Sequence, residues 1–532
     1  EIIFFLIFLL TANIQTYSQI QTWPPDGLNA GPMQFVLPDS RIIPSTKRYN
    51  LVWADQLRPY LLTEGKIEFA AKNYVGTQKI WADQISQFRN YNENFLCLIY
   101  HLAAGLNPNK NDDCPDPKNN SGEGHIGVVS PAGYVSEWQE HFLPWCQSNS
   151  ISEGSDRFES MFQHYNTLSP ETRVWHRDPY WLMNLDNADW RTYVAAACKE
   201  WMTGNTNEGC FFDVSVETSW NYYNPSDISG DPYNFNWWET PYGLDPIDNR
   251  NDLAIYMNDT YLDYYSTIYQ AFHSATVDYL VIPNIDQMVT SVYDPYWTDG
   301  SDTQGETIDG AMIENFGGYK ASDMYLTLER AVRHLTGRGK IMIAQFGADS
   351  PEERYRRTGM YMLIKNENSY INIINTGNAE WYPEYEIDLG DQSMLPENLN
   401  DLRVSGDGWR SLWKREYEHG FILCNTSDAD IFYNLGDEQA AKDGKTINLV
   451  GTSGGGEVSD EGQIAEQTIT YEAFNGLIKI PSSECAIFKI SDETSIEIAG
   501  SKSNSVSVTP NPASESFSVR LFLKHYDRII LT

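Results

Sequence analysis

At 532 residues the chain exceeds one ordinary domain and fits a barrel of about 250–400 residues with a smaller companion. Hydrophobic residues at 41% and charged residues at 21% exclude a disordered chain. The formal net charge of −36, from 37 basic against 73 acidic residues, repels nucleic acid and anionic membranes, so neither is expected as a partner.

The chain starts with an apolar run, Ile2 to Leu10, too short to cross a bilayer and matching the core of a signal peptide, here assigned to 1–18. No later stretch reaches a transmembrane length, so export to the cell surface or the exterior is expected, with no membrane span. Between residues 19 and 378, short apolar runs alternate with amphipathic stretches. The strand candidates are Tyr49–Ala54, Phe95–His101, Trp181–Leu185, Cys210–Val214, Tyr279–Ile285, Ala311–Phe316, Ile341–Phe346 and Tyr370–Ile374. Helical segments at Trp190–Met202, Leu253–His273, Ser322–Thr336 and Pro351–Ile364 separate several of them. Buried strands alternating with helices predict an α/β fold with a parallel sheet, and eight such units predict a (β/α)8 TIM barrel.

Two stretches are long for loops. Residues 102–180 are rich in Asn, Asp, Gly and Pro, with a helical piece at Ser136–Gln147; Ser215–Asn251 carries Glu217, Trp220, Trp237 and Trp238. Loops that follow strands surround the active face of a barrel, so these are expected to build a functional surface. The 16 Trp and 33 Tyr of the chain supply rings both for a core and for stacking on sugar faces. Trp220, Trp237, Trp238 and Trp297 are the candidate stacking residues.

From 379 to 492 the pattern turns to short alternating runs, among them Tyr385–Leu389, Gly420–Asn425, Thr446–Leu449 and Glu484–Ile490, which predict a small all-β sandwich domain. The Gly454–Gly456 run reads as a hairpin tip, since a phosphate loop would need a Lys and a following helix. None of the seven cysteines forms a CxxC pair, so no zinc or redox centre is expected. Cys114 and Cys146 are the expected disulfide. The Asn111–Asn120 cluster does not match a calcium loop, and neither a metal nor a cofactor is expected.

In a barrel the polar groups at the C-terminal ends of strands form the active face. The fourth strand candidate presents Asp213 directly after the apolar Cys210–Phe212, and the sixth presents Glu314 directly after Ala311–Ile313. The fifth ends in Asn284 and Asp286, and the seventh in Gln345. Two carboxyl groups flanking one bond are what most glycosidases need, one to protonate the leaving group and one to act as nucleophile or base. Asp213 and Glu314 are the candidate pair, with Asp286 as a third carboxylate. Asn284, Gln345, His176 and Glu217 are the candidate hydroxyl-binding partners. His101 and His176 are isolated and lack a ligand set.

The string Trp181–Arg191 followed by Gly209–Val214 resembles the barrel core of glycoside hydrolase-like family 15 and its relatives, in which an "LMD…P.WR" segment leads to a "GVFLD" strand. "YEIDLG" at Tyr385–Gly390 and "WKREYEHGFILCN" at Trp413–Asn425 are similar to the region that follows the barrel there. The resemblance covers about residues 170–435. It implies a barrel and sugar chemistry, and it maps the family's strand-four Asp onto Asp213. The chain departs from the pattern at Asn184, where relatives often carry an acid, and at Asn205–Glu208. An Asp on strand four with an acid two strands later is also similar to retaining α-glycosidase clans. Residues 493–532 form a linker followed by "TPNPASESFSV" (Thr509–Val519), which resembles the start of the C-terminal sorting domain of the type IX secretion system of Bacteroidetes. That resemblance implies the type IX secretion machinery as a partner. The expectation is a secreted, endo-acting, retaining glycoside hydrolase acting on a polysaccharide, algal galactans and fucans among the candidates. Its rival is a non-catalytic glycan-binding or adhesin protein, whose carboxylates would stand too far apart to share one bond. A lyase or deacetylase is disfavoured, because no His/Tyr base pair or metal set stands at the strand ends.

Overall fold

The computed structural model describes Leu51–Val52, residues 62–491 apart from 78–81, 107–128, 165–172, 214–249, 286–306 and gaps of one to three residues, and strands at 505–510 and 517–522. Within it the described residues up to 375 fold as α/β. Besides short antiparallel pairs, eight strands pair only in parallel: β1 (Leu51–Val52), β2 (Gly76–Thr77), β3 (Leu96–Leu102), β4 (Gly209–Asp213), β5 (Leu280–Pro283), β6 (Gly310–Ile313), β7 (Ile341–Phe346) and β8 (Ser369–Ile373). Every pairing among them is parallel: β1-β2-β3-β4-β5 form one sheet and β6-β7-β8 another. A parallel bridge between Asn284 and Met312 joins the two, with Ile285 N–H donating to the Met312 carbonyl at 2.9 Å. Cα atoms of β1 lie within 8 Å of β8.

Strands β2 to β8 are buried on both faces, as parallel strands covered by helices must be. On one face Leu96, Leu98, Tyr100, Leu102, Phe211, Leu280, Ile282, Met312, Ile341, Ile343 and Tyr370 pack together. On the other, Cys97, Ile99, Cys210, Phe212, Val281, Ala311, Ile313, Met342, Ala344 and Ile371 join the larger core under the helices. The main covering helices are α1 (Glu64–Asn73), α2 (Ala82–Arg89), α3 (Ala188–Asn205), α4 (Arg250–Phe272), α5 (Ala321–His334) and α6 (Pro351–Ile364).

One strand candidate is corrected. Trp181–Leu185 does not join the parallel sheet: Tyr180–Leu182 pairs antiparallel with Gly105–Leu106 and with Trp175–Arg177. Its place is closed because β3 pairs directly with β4, Leu102 opposite Asp213. Trp181 instead packs on an aromatic cluster with Trp138 and Phe162, and the Arg173 guanidinium lies over the Phe162 ring at 4.0 Å and the Trp181 ring at 4.4 Å. Arg173 is held by a bidentate pair to buried Glu159 at 2.8 and 2.6 Å. The missing member of the eight is Gly76–Thr77, too short to carry a period-two pattern.

Beyond the α/β part, β9 (Arg403–Asp407), β10 (Arg410–Tyr417), β11 (Gly420–Asn425), β12 (Ile431–Asn434), β13 (Thr446–Gly454), β14 (Gln467–Ala473), β15 (Leu477–Ile480) and β16 (Cys485–Ser491) form an all-β unit. Six make an antiparallel sheet in the order β9-β10-β11-β16-β13-β14, and β12 pairs with β15 over one face of it. Leu412, Phe421, Leu423, Ile447, Ile478, Ile480 and Phe488 fill the space between. The opposite face, through Trp413, Ile422 and Ile487, belongs to the core of the α/β part. Tyr385–Leu389 is not a strand: Pro383 opens a 3-10 turn over Pro383–Glu386, fixed by the Tyr385 hydroxyl accepting from Ile373 N–H at 2.8 Å. The expected Cys114–Cys146 bridge is also corrected. Cys146 is a free buried thiol, and the disulfide joins Cys424 to Cys485, opposite each other on β11 and β16. Burial pushes the Cys146 thiol up to about 12, which leaves it unreactive. Cys114 lies outside the described residues. Further on, Ser505–Pro510 and Phe517–Phe522 pair as an antiparallel hairpin.

Candidate functional site

Alternation along the strands builds the site. Tyr100 faces the same way as Leu98 and Leu102, in the packed layer between the strands. Two residues beyond Phe211, Ile282, Met312, Ile343 and Tyr370, all of that layer, stand Asp213, Asn284, Glu314, Gln345 and Asn372. Because side chains repeat every second residue, each polar group continues the inward row of its own strand past the last apolar layer. Asp213, Asn284, Gln345 and Asn372 are all buried, at 6%, 4%, 1% and 4% exposure, so each needs partners. Glu314 is half-buried.

Those partners are one another. The Tyr100 hydroxyl donates to Asp213 Oδ2 at 2.5 Å. Asn284 Nδ2 donates to Asp213 Oδ1 at 2.8 Å and to Glu314 Oε2 at 2.7 Å. One amide thus touches both carboxyl groups. The two oxygens it holds are no farther apart than those bonds laid end to end, about 5.5 Å, so the two carboxyl groups approach each other closely across a single amide. Beside them Asn372 Nδ2 donates to Gln345 Oε1 at 2.9 Å.

The backbone around the pair is fixed from outside. Ala103 N–H donates to the Asp213 carbonyl at 3.0 Å, and Asn284 N–H to the Phe212 carbonyl at 2.8 Å. After Glu314 the chain turns sharply through Gly317 and Gly318, at φ 100° and 56°, a region side-chain-bearing residues rarely adopt. Phe316 N–H reaches the Gln345 carbonyl at 3.0 Å, and Arg357 of α6, paired with Glu353 at 2.6 Å, donates to the Phe316 carbonyl at 3.1 Å. The turn that carries Glu314 is therefore tied both to β7 and to the helix behind it.

The structure thus brings together Asp213, Glu314 and Asn284, with Gln345 on the neighbouring strand β7. It adds Tyr100 and Asn372, which the sequence reading passed over. Both sit inside apolar strand runs, and only the inward parity they share with Asp213 and Gln345 could have marked them. His101 faces the other side of β3, buried between Trp190 and Phe212 and 3.7 Å from Glu137. His176 lies in the strand Trp175–Arg177. Asp286, Glu217, Trp220, Trp237, Trp238 and Trp297 lie outside the described residues, as does the aromatic stretch 215–249. Among the described residues no cluster of His, Cys, Asp or Glu could hold a metal, and no helix is long and apolar enough to cross a membrane.

A family model described as hypothetical glycosyl hydrolase family 15 matches residues 132–421, more than half of the chain. No curated protein matches. Among solved structures, an α-amylase from Anoxybacillus is 9% identical, with 80% of this chain and 85% of that chain covered and a TM-score of 0.30. The α-galactosidase I of Mortierella vinacea is 9% identical, with 84% and 97% covered and a TM-score of 0.35. A GH36 α-galactosidase from Geobacillus stearothermophilus is 8% identical, with 84% and 56% covered and a TM-score of 0.36.

Proposed function

The chain belongs to hypothetical glycosyl hydrolase family 15, and from that premise we propose that it is a glycoside hydrolase whose eight parallel strands close into a (β/α)8 barrel around Asp213 and Glu314. Barrel closure is supported by the all-parallel pairing, the Asn284–Met312 bridge and the nearness of β1 to β8. The observation that carries the catalytic reading is the Asn284 amide bonded to both carboxyl groups at the C-terminal ends of β4 and β6.

In this reading Glu314 donates a proton to the glycosidic oxygen as the bond to the anomeric carbon breaks, and an Asp213 oxygen forms a glycosyl ester with that carbon. Glu314, now a carboxylate, takes a proton from water, and the water oxygen displaces Asp213 to release the sugar. The spacing of the pair favours this retaining sequence over an inverting one, which needs a gap of roughly 6.5–9.5 Å to seat the water. It also speaks against the non-catalytic glycan binder, for which the two carboxyls need not share a bond. A polysaccharide substrate with endo-action is supported by the long aromatic stretch that follows β4 in the sequence. Export, through the apolar N-terminal run and the type IX sorting motif at Thr509–Val519, is supported by sequence alone.

The test is a panel of algal and plant polysaccharides assayed for new reducing ends. Wild-type protein releases them from at least one. Asp213→Asn and Glu314→Gln each lower turnover by on the order of 10³-fold or more, with unchanged circular dichroism and melting temperature. Near-normal activity in both variants overturns the assignment.

A further inference from the structure

Tyr100 and Asn284 cannot serve as the reacting pair, yet both spend donors on it. The inward row of β3 is otherwise leucine: Leu96, Leu98 and Leu102. A phenylalanine would pack in that row as well as Tyr100, whose ring lies 6.0 Å from Phe211. What the hydroxyl adds is one polar atom in an apolar layer, costly there without a partner. Its partner is Asp213 Oδ2, at 2.5 Å. Asn284 is placed the same way, at 4% exposure, with its nitrogen on Asp213 Oδ1 and Glu314 Oε2.

We infer that Tyr100 and Asn284 are positioning residues, a hydrogen-bonded chain Tyr100–Asp213–Asn284–Glu314 across β3, β4, β5 and β6 that sets the orientation of both reacting carboxyls before substrate arrives; the inference rests on the glycosidase reading. A carboxylate on a single bond to Cβ rotates freely about χ2. Here the Tyr100 hydroxyl holds Oδ2 and the Asn284 amide holds Oδ1, so the Asp213 plane is fixed. Asn284 then sets the distance. Its two N–H bonds leave one nitrogen at a fixed angle, so Asp213 cannot turn without drawing on Glu314. The amide also donates to Oε2 of Glu314, which fixes that carboxyl relative to Asp213. Orientation supplied in this way lowers the barrier without adding contacts to the sugar, so it belongs in kcat rather than in KM.

Two measurements on the full chain test this. With the substrate found by the polysaccharide panel, Tyr100→Phe and Asn284→Ala are each expected to lower kcat about 10–100-fold with KM changed less than about threefold. Incorporating 3-fluorotyrosine at position 100, which keeps the hydroxyl, restores kcat. A purely structural role would move the melting temperature and leave kcat of the folded fraction near wild type, and that result overturns the inference. The second measurement needs no substrate. In a thermal double-mutant cycle, Tyr100→Phe lowers the melting temperature of wild type but not of Asp213→Ala, because the acceptor is already gone. Additive shifts overturn the chain of bonds. If Tyr100→Phe does not fold, the Asn284→Ala cycle against Asp213→Ala reads the same coupling. A wild type inactive on every glycan contradicts the glycosidase reading alone, since the cycle still decides whether the carboxyls are held as inferred.

Discussion

At the scale of single residues, polar side chains pair at both ends of the parallel strands, Asp213, Asn284 and Glu314 at one and His273, Asp278 and Asp309 at the other. His273, just after α4, belongs to the second group. Its Nδ1 pairs with Asp278 and its Nε2 with Asp309 at 3.0 Å, while Asp309 also accepts from Val281 N–H at 2.8 Å at the starts of β5 and β6. Partial burial alone would lower the imidazole, but the hydrogen bonds and charges of Asp309 and then Asp278 outweigh it, so His273 is raised above its ordinary 6.5. A raised imidazole stabilises the fold fully below the unfolded value and loses that contribution as pH rises through the folded value. The melting temperature of wild type over His273→Gln is therefore expected to be greatest near pH 6 and to shrink toward pH 9. A margin that grows with pH contradicts the assignment. The same scale shows what the sequence could and could not reveal about the site. That Asp213 and Glu314 stand together at the strand ends was legible, because a carboxyl directly after an apolar strand is costly unless it has a partner. Tyr100 and Asn372 were not, since a Tyr and an Asn inside apolar runs look like core, and only the neighbouring strand supplies their partners.

At the scale of elements, α6 explains why some boundaries were readable. Ser350 accepts from Glu353 N–H at 3.2 Å, Pro351 takes the first helical position, and Glu352 and Glu353 fill the first turn, a start signal written wholly in local sequence. Its end is set from far away. Arg415 of β10 donates to the carbonyls of Met362, Leu363 and Lys365 at 3.4, 3.3 and 2.5 Å. Within α6, Gly359 faces the all-β unit. A Cβ there would meet Cys485 Cβ at 2.5 Å, a separation no real pair tolerates. Gly→Ala in an exposed helix interior gains about 1 kcal/mol, whereas overpacking costs about 1–3 kcal/mol. Gly359→Ala is thus expected to lower the melting temperature by several degrees, and a rise would show that the close contact is not maintained in solution. Pro351–Ile364 was legible from its capped start and Ile341–Phe346 from its unbroken apolar run. Gly76–Thr77 was not, and Trp181–Leu185 had the composition of a parallel strand while its partners made it antiparallel.

At the scale of the molecule, the two units share a core: one face of the six-stranded sheet packs under α6, and the Cys424–Cys485 disulfide lies in that sheet beside Gly359. The α/β class and the later all-β unit were both visible in the change of apolar period near residue 379. The disulfide was not, because two cysteines 61 residues apart become neighbours only through strand pairing. What the whole arrangement delivers is a pair of carboxyls kept at a short separation by an amide between them, at the ends of the adjoining parallel strands β4, β5 and β6. That separation predicts the stereochemistry of the reaction. The most direct measurement is proton NMR of the first sugar released by wild-type protein, recorded before mutarotation. The account predicts that it carries the same anomeric configuration as the bond cleaved. Release of the opposite anomer contradicts Asp213 as nucleophile, and release from no glycan at all contradicts the glycosidase itself.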